Sequence, residues 1–183
     1  HIDEFYIKAV EELAEKMARR GHSLVFGAGA TGGMGAAARG TKRGGVYIHG
    51  VIPEFFREEG VEKIYTECDE LTYTKTMAER KTLMEDDAEA FIIVPGGIGT
   101  LEEFYEVLTL KQLGRHNKAM AIYNLNGYFN SLEAFMHEMS QKNFMAEVCH
   151  DMYKYFTDDD KLLDYIEEYE PLKTSWRRLK DAD

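Results

Sequence analysis

Two acidic residues follow a glycine-rich turn in residues 94–104, VPGGIGTLEEF. The apolar run before the turn predicts a buried strand, and the residues after it predict a helix. Such a junction presents backbone N–H groups at a helix N-terminus, where the helix dipole favours an anion such as phosphate. Glycines can also form a simple tight turn. We predict a phosphate loop at Gly96, Gly97, Gly99 and Thr100, because three glycines and a threonine exceed what a turn needs.

The role of Glu103 has two interpretations. Thr100 and Glu103 have the spacing of a capping box, which would make Glu103 a structural acid of the first helical turn. On a helical wheel, however, Leu101 and Phe104 share one side, while Glu103 lies on the opposite side with Val107. That second side is too apolar for plain solvent and indicates a partner subunit or a pocket wall. We favour a catalytic Glu103, one turn from the phosphate loop.

A second group of candidate residues lies in residues 74–84, TKTMAERKTLM. Met77, Met84 and Ala88 form an apolar stripe, which Arg80 and Lys81 flank. A cation beside an apolar helix face must either extend its charge to solvent or find an anion. The fork of donors on arginine suits a carboxylate or a phosphate. Both interpretations remain open for this pair.

A third glycine-rich segment covers residues 26–40, FGAGATGGMGAAARG. Gly27, Gly29 and Gly32 fit the dinucleotide fingerprint G-x-G-x-x-G. The acid expected about twenty residues further on is not clearly present, which argues against a full dinucleotide site. We therefore predict a glycine loop that approaches part of a nucleotide.

Composition narrows the class of protein. The 183 residues predict one domain, and 33 acidic against 22 basic residues give a net charge of −11. This charge argues against binding to nucleic acid or to an anionic membrane. Cys68 and Cys149 are predicted to be free thiols in a reducing cytoplasm. The histidines lack metal-ligand spacing, so no metal site is predicted. No stretch reaches the length of a membrane span, and no signal peptide is visible.

The pattern along the chain alternates strands with helices. We predict helices at the N-terminus up to Gly21 and over 34–43, 76–87, 100–113, 131–142 and 158–169, and strands over 23–29, 45–53, 62–68, 90–97, 118–124 and 153–156. This alternation predicts an α/β fold, Rossmann-like and doubly wound, with a mainly parallel sheet covered on both faces. The first strand of such a fold is missing here, since the chain opens with a helix. The residues after Pro171 are predicted to form a peripheral tail.

Several of these segments resemble one known family. GAGATGGMG, MAERKTLM and PGGIGTLEE, followed by LTLKQLGRHNK and YNLNGYFN, are similar to the LOG proteins. These are the cytokinin riboside 5′-monophosphate phosphoribohydrolases, often labelled lysine decarboxylases. The resemblance extends from the first helix to about Tyr169, and the PGGxGTxxE signature is complete from Pro95 to Glu103.

The resemblance implies an activity and a set of site residues. A LOG protein has a Rossmann-like fold, forms a homodimer and hydrolyses the N-glycosidic bond of a nucleoside 5′-monophosphate. The products are a free base and ribose 5-phosphate. We predict no cofactor for this chain. Arg80 and Glu103 match the family's catalytic pair. The residues expected to bind substrate and its phosphate are Gly96, Gly97, Gly99, Thr100, Lys81, Gly29, Gly32 and Met77.

This sequence departs from the family pattern at two places, and other functions compete. Ala78 stands where the family often has histidine, and Ala28 and Gly33 alter the early loop, so the base preference stays open between a cytokinin nucleotide and AMP. The first alternative is a non-catalytic nucleotide or cofactor carrier on the same fold. The second is a pyridoxal phosphate decarboxylase using Lys81 or Lys111. The third is ribosyl transfer to an acceptor other than water.

Overall fold

The computed structural model describes residues 2–172, which divide after Ala88 into two compact units. Unit 1 ends at Ala88 and unit 2 begins at Glu89. The elements of unit 1 are α1 (Glu4–Arg19), β1 (Leu24–Phe26), α2 (Gly32–Gly44), β2 (Ile48–Pro53), α3 (Glu54–Glu59), β3 (Glu70–Thr74) and α4 (Met77–Asp87). Those of unit 2 are β4 (Ala90–Ile93), α5 (Ile98–Gln112), β5 (Ala119–Tyr123), α6 (Asn130–Gln141), β6 (Lys154–Phe156) and α7 (Asp159–Glu167), with short 3-10 helices at Leu125–Gly127 and Glu147–Met152.

Unit 1 is built on a three-stranded parallel sheet in the order β1-β2-β3. Ile48 and Ile52 of β2 pack in one apolar cluster with Ala38 of α2. His49 has the opposite parity in the strand and contacts Asp87 at the end of α4. Because alternate side chains of a strand point to opposite faces, α2 and α4 cover the two faces of this sheet.

Helices α1 and α2 pack closely because α2 has no side chain at two contact positions. A Cβ atom on Gly40 would lie 2.1 Å from the Glu11 carbonyl oxygen, and one on Gly44 would lie 2.2 Å from the Ala18 Cβ. Arg43 adds ion pairs from α2 to Glu11 and Glu15 of α1. This packing fixes the position of α2, which begins directly after the glycine loop.

Unit 2 has a second three-stranded parallel sheet, in the order β4-β5-β6. Its core combines residues of β4, β5, α5, α6 and the second 3-10 helix, namely Ile93, Phe104, Val107, Leu108, Met120, Ile122, Phe129, Met136, Cys149, Met152 and Tyr153. Helix α7 packs on β5 and buries Leu162 and Leu163. The core thus fixes α5, whose N-terminus carries the PGGxGT loop.

The predicted strand over 62–68 is wrong. The third strand is Glu70–Thr74, and within 62–68 only Ile64 makes a β-bridge, an antiparallel one to Gly29. Around Ile64 the segment pairs with the loop after β1 through the hydrogen bonds from Ala30 N–H to Lys63 O and from Tyr65 N–H to Ala28 O. Helix α3 was also not predicted. Pro53 ends β2 and stands at the N-cap of α3.

The predicted α/β class with parallel strands flanked by helices is confirmed, with differences in detail. The predicted N-terminal helix is present as α1, which buries Leu13 and Met17 and leaves Phe5 51% exposed. The predicted peripheral tail falls mostly on residues 173–183, which lie outside the described residues. A single domain over 1–183 stays a prediction. Within 2–172, no helix is both long and apolar enough to cross a membrane.

Candidate functional site

The N-terminus of α5 lies directly after the PGG turn. The helix begins at Ile98 with Gly97 as its N-cap, so Thr100 is the third helical residue. The alternative interpretation, a capping box of Thr100 with Glu103, is therefore wrong. The glycines let the helix start two residues earlier than the sequence predicted. No side chain caps this N-terminus among the described residues. Its first backbone N–H groups therefore have no acceptor within the helix and can serve a ligand.

The glycines of this loop have two different functions. A Cβ atom on Gly96 would lie 2.1 Å from the Thr100 Oγ1 atom, so the threonine hydroxyl folds back over Gly96. Cβ atoms on Gly97 or Gly99 would meet nothing within 4 Å. The side chain between them, Ile98, is 88% exposed. Gly96 thus permits internal packing, while Gly97 and Gly99 leave the backbone open, as phosphate binding requires.

Tyr128 supports this loop, and the sequence analysis assigned it no role. Its hydroxyl donates a hydrogen bond of 2.7 Å to the Gly96 carbonyl oxygen. Tyr128 follows the Leu125–Gly127 3-10 helix, where Asn126 has a left-handed φ of 48°. The hydrogen bond fixes the peptide after Gly96 and with it the direction of the following N–H groups. The segment YNLNGYFN carried the family resemblance but no chemical motif that singles out this hydroxyl.

Glu103 lies in the second turn of α5. It is half-buried, whereas Glu102 beside it is exposed. Phe104 and Val107 are buried, at 1% and 5% exposure. Since Val107 belongs to the same side of the helix as Glu103, part of that side is already buried within the chain. Glu103 is therefore held on a helix that packing makes rigid.

Arg80 is the buried residue of α4, with 5% of its surface exposed. Its Nε atom donates to the Val51 carbonyl oxygen and its Nη2 atom to the Gly27 carbonyl oxygen, both at 3.1 Å. The Nη1 atom lies 3.9 Å from the Met77 sulfur, and the guanidinium lies 5.8 Å from the centre of the Phe56 ring. The interpretation in which Arg80 extends to solvent is wrong, because its guanidinium is buried and donates hydrogen bonds to backbone carbonyl oxygens.

The charge of Arg80 has no counter-ion within the described part of unit 1. All the hydrogen bonds of its guanidinium there go to carbonyl oxygens and a sulfur. A guanidinium has five N–H donors, so some remain for a ligand. A buried charge without an opposite charge is unfavourable unless a bound anion or carboxylate balances it. Arg80 is thus a fixed cation beside the end of β1.

The first glycine loop leads from β1 into α2, as its fingerprint predicted. A Cβ atom on Gly27 would lie 1.6 Å from Arg80 Nη2, so the guanidinium needs glycine there. Ala28 has a left-handed φ of 59°, a conformation that favours glycine, and Gly32 begins α2 with a φ of 58°. Tyr65 N–H donates to the Ala28 carbonyl oxygen at 2.8 Å, which helps to hold this conformation.

The structure groups the predicted site residues within each unit. In unit 1, Met77 contacts Arg80, and Lys81 follows on α4 as a half-buried residue. In the same unit, Gly27 lies against Arg80, and Gly29 and Gly32 complete the loop that precedes α2. In unit 2, the residues brought together around the start of α5 are Gly96, Gly97, Gly99, Thr100, Glu103 and Tyr128.

Lys111, one of the two lysines considered for a cofactor, has a structural environment. It is 5% exposed, and its Nζ atom donates to the carbonyl oxygens of Lys118 and Met152 at 2.7 and 2.8 Å, and to the Tyr169 hydroxyl at 2.9 Å. Burial lowers its pKa to about 8. The three acceptors tie the end of α5 to its neighbours and leave Nζ no room for an aldehyde cofactor.

The fold and these two glycine loops define an α/β protein of the nucleotide-binding kind. Residues 34–166 match the family model described as "Possible lysine decarboxylase". The chain is 36% identical over 166 residues to a probable cytokinin riboside 5′-monophosphate phosphoribohydrolase of Oryza sativa subsp. japonica, covering 91% of this chain and 78% of the relative. It is 38% identical over 130 residues to the enzyme of that name from Mycobacterium marinum (strain ATCC BAA-535 / M), covering 71% and 68%. The chain belongs to the LOG family.

Solved structures with the same fold include carriers of a cofactor. The molybdenum cofactor carrier protein of Chlamydomonas reinhardtii superposes with a TM-score of 0.67 at 19% identity, covering 90% of this chain and 88% of that one. The molybdenum cofactor binding protein of Rippkaea orientalis gives a TM-score of 0.65 at 19% identity, covering 88% and 85%. At this identity the likeness concerns the fold alone.

Proposed function

We propose that this protein hydrolyses the N-glycosidic bond of a nucleoside 5′-monophosphate, giving a free base and ribose 5-phosphate. The observation that carries the proposal is the buried guanidinium of Arg80, which unit 1 leaves without a counter-ion among its described residues. The LOG relatives named above are phosphoribohydrolases of this type. An anionic substrate would balance this buried cation.

Binding of the 5′-phosphate is assigned to the start of α5. Backbone N–H groups at Gly97, Gly99 and Thr100 would donate to phosphate oxygens, and the helix dipole adds favourable electrostatics. Tyr128 holds the preceding peptide through Gly96. Lys81, Met77, Gly29 and Gly32 are proposed to complete the substrate-binding residues in unit 1. Holding the phosphate fixes the orientation of the sugar for reaction at C1′.

Catalysis is assigned to Glu103 and Arg80. Cleavage of an N-glycosidic bond builds positive charge on the sugar, as in other glycoside hydrolyses. Glu103 would stabilise this charge and take a proton from the attacking water, whose oxygen bonds to C1′. The electron pair of the broken bond leaves with the base, and the proton released from water ends on that base. Arg80 would bind the anionic substrate and orient it.

A substitution at Glu103 tests this assignment. The Glu103→Gln variant should fold and bind AMP, yet lose at least about a hundredfold in kcat, the scale usual for an acid–base group. The assay incubates the protein with AMP and with N6-isopentenyl-AMP and measures free base and ribose 5-phosphate by chromatography. Glu102→Gln is the matched control, since Glu102 is exposed on the same turn. Near-normal turnover by Glu103→Gln would refute the catalytic role.

The same assay separates the competing functions. Binding of AMP without release of base would favour a carrier, and transfer to an added acceptor in place of ribose 5-phosphate would favour ribosyl transfer. A decarboxylase has no support at Lys111, whose Nζ atom is fully hydrogen-bonded. We further propose that the protein is a cytoplasmic homodimer that acts without a cofactor and binds neither nucleic acid nor membrane.

A further inference from the structure

Glu62 places a carboxylate directly against the first glycine loop. A Cβ atom on Gly29 would lie 2.5 Å from Glu62 Oε1, so this carboxylate fills the space that a side chain at position 29 would take. Met34 fills the other part of that space, with its Cε atom 2.4 Å from the same point. Neither the capping pattern nor the family motifs of the sequence draw attention to Glu62.

The position of Glu62 is fixed by its neighbours. Ile64 forms a β-bridge with Gly29, and Ala30 N–H donates to the Lys63 carbonyl oxygen at 2.7 Å. Residues 29 and 30 of the loop are therefore joined by backbone pairing to the segment that carries Glu62. This backbone pairing fixes the point from which the Glu62 side chain extends to the loop.

The carboxylate of Glu62 is half-buried and has no hydrogen-bond donor or cation within the described part of unit 1. Arg80 lies at the same loop, against Gly27, but it donates to carbonyl oxygens and not to Glu62. Gly27 and Gly29 are two residues apart, at most about 7 Å along the chain. One loop thus has a cation at one end and an acceptor-only carboxylate at the other.

The 2′- and 3′-hydroxyls of ribose are neighbouring donors that can both bind the two oxygens of such a carboxylate. The phosphate would be repelled by Glu62, so the carboxylate must face another part of the substrate. Resting on the proposed function, we propose that Glu62 binds the ribose hydroxyls and makes the protein specific for ribonucleotides over deoxyribonucleotides. Hydrogen bonds to an ionised group are strong enough to supply that specificity.

The test compares AMP with 2′-deoxy-AMP and 3′-deoxy-AMP in wild type, Glu62→Ala, Glu62→Gln and the control Glu59→Gln. Glu59 is exposed at the end of α3, and its change removes the same charge. The ratio of kcat/KM for AMP to that for each deoxynucleotide should fall at least about tenfold in Glu62→Ala. It should fall less in Glu62→Gln, which keeps one acceptor, and remain unchanged in Glu59→Gln. Comparing ratios cancels the intrinsic difference in reactivity between the sugars.

Calorimetric binding of the same three nucleotides separates this proposal from the proposed function. A wild type that binds AMP without hydrolysing it, and loses its preference for ribose in Glu62→Ala, would refute the hydrolase and support Glu62. Hydrolysis in which Glu62→Ala lowers the rates with all three nucleotides equally would refute the role of Glu62 and leave the hydrolase standing. Absence of both binding and hydrolysis would overturn both.

Discussion

Arg80 shows how single residues prepare the site. Its guanidinium can lie in the interior because the sheet offers the Val51 and Gly27 carbonyl oxygens, and because position 27 has no side chain. The arginine and the glycine therefore depend on each other. A cation fixed by carbonyl oxygens keeps its charge for a ligand, whereas one paired with a carboxylate would be neutralised.

Gly27→Ala should be strongly destabilising because its methyl group would meet Arg80 Nη2 at 1.6 Å. We expect the free energy of unfolding to fall by about 1–3 kcal/mol, as for other overpacked sites, and AMP hydrolysis to fall as the guanidinium is displaced. Urea unfolding and the chromatographic assay measure the two effects.

The Gly27→Ala/Arg80→Ala double variant controls for the origin of this loss. With the guanidinium removed, the methyl group has space, so Gly27→Ala should be far less destabilising in the Arg80→Ala background than in wild type. Equal destabilisation in both backgrounds would show that position 27 requires glycine for its backbone conformation and not for the space that Arg80 occupies.

At the scale of elements, α5 links the phosphate loop to the core of unit 2. Its first turn is open at Gly97 and Gly99, its middle buries Phe104 and Val107, and its last turn buries Lys111. The Lys111 Nζ atom ties that last turn to the start of β5 through Lys118 and to the second 3-10 helix through Met152. The buried middle and the hydrogen-bonded last turn hold the helix in place, so its N-terminus needs no capping side chain for that purpose.

Lys111 also predicts a pH dependence of stability. Burial lowers its pKa to about 8 from the usual 10.5, so between these values the unfolded chain binds more protons than the folded one. The free energy of unfolding should therefore rise with pH over this window, by up to about 1.4 kcal/mol per pH unit. The carbonyl oxygens that accept hydrogen bonds from Nζ favour the charged amine, and this offsets part of the rise in the free energy of unfolding.

The Lys111→Met variant isolates this contribution. The difference in free energy of unfolding between wild type and variant, from urea titrations at pH 7.5, 8.5 and 9.5, should grow as the pH rises. Buried tyrosines titrate in both proteins and cancel in the difference. A difference that stays constant would mean that Lys111 has the same pKa in the folded and unfolded chains.

At the scale of the whole molecule, the net charge of −11 contrasts with the anionic substrate proposed here. Affinity must then come from local groups, namely the Arg80 guanidinium and the backbone N–H groups at the start of α5. General electrostatic attraction cannot supply it. The same charge predicts weak binding of nucleic acids, which would then not compete with a small nucleotide.

The homodimer is a prediction at this scale. Sedimentation velocity should show a species of twice the 21.0 kDa chain mass at micromolar concentration. Exposed apolar side chains of unit 2, such as Ile98, Phe135 and Phe144, are the surface that we expect to be covered. Phe135→Glu, with Lys142→Glu as a charged control on an exposed position, should shift the species towards monomer. A wild type that sediments only as monomer would contradict the prediction.

The class of fold, the family and the two glycine loops can be predicted from the sequence alone. These properties depend on local features: strand and helix periods, and glycines where strands pass into helices. They are visible within short windows of the chain. Helix α5 starts two residues before the predicted start because Thr100 has the residue type of an N-cap. Residues 62–68 have the composition of a strand, but within them only Ile64 forms a β-bridge.

Which charges are buried, and what they contact, depends on the tertiary structure. Arg80 could have extended to solvent by its position on α4, and its burial follows from carbonyl oxygens that lie 29 and 53 residues away in the chain. Glu62 reaches Gly29, and Tyr128 reaches Gly96, in the same way. No local pattern encodes such contacts, because each depends on where the sheet brings distant segments together.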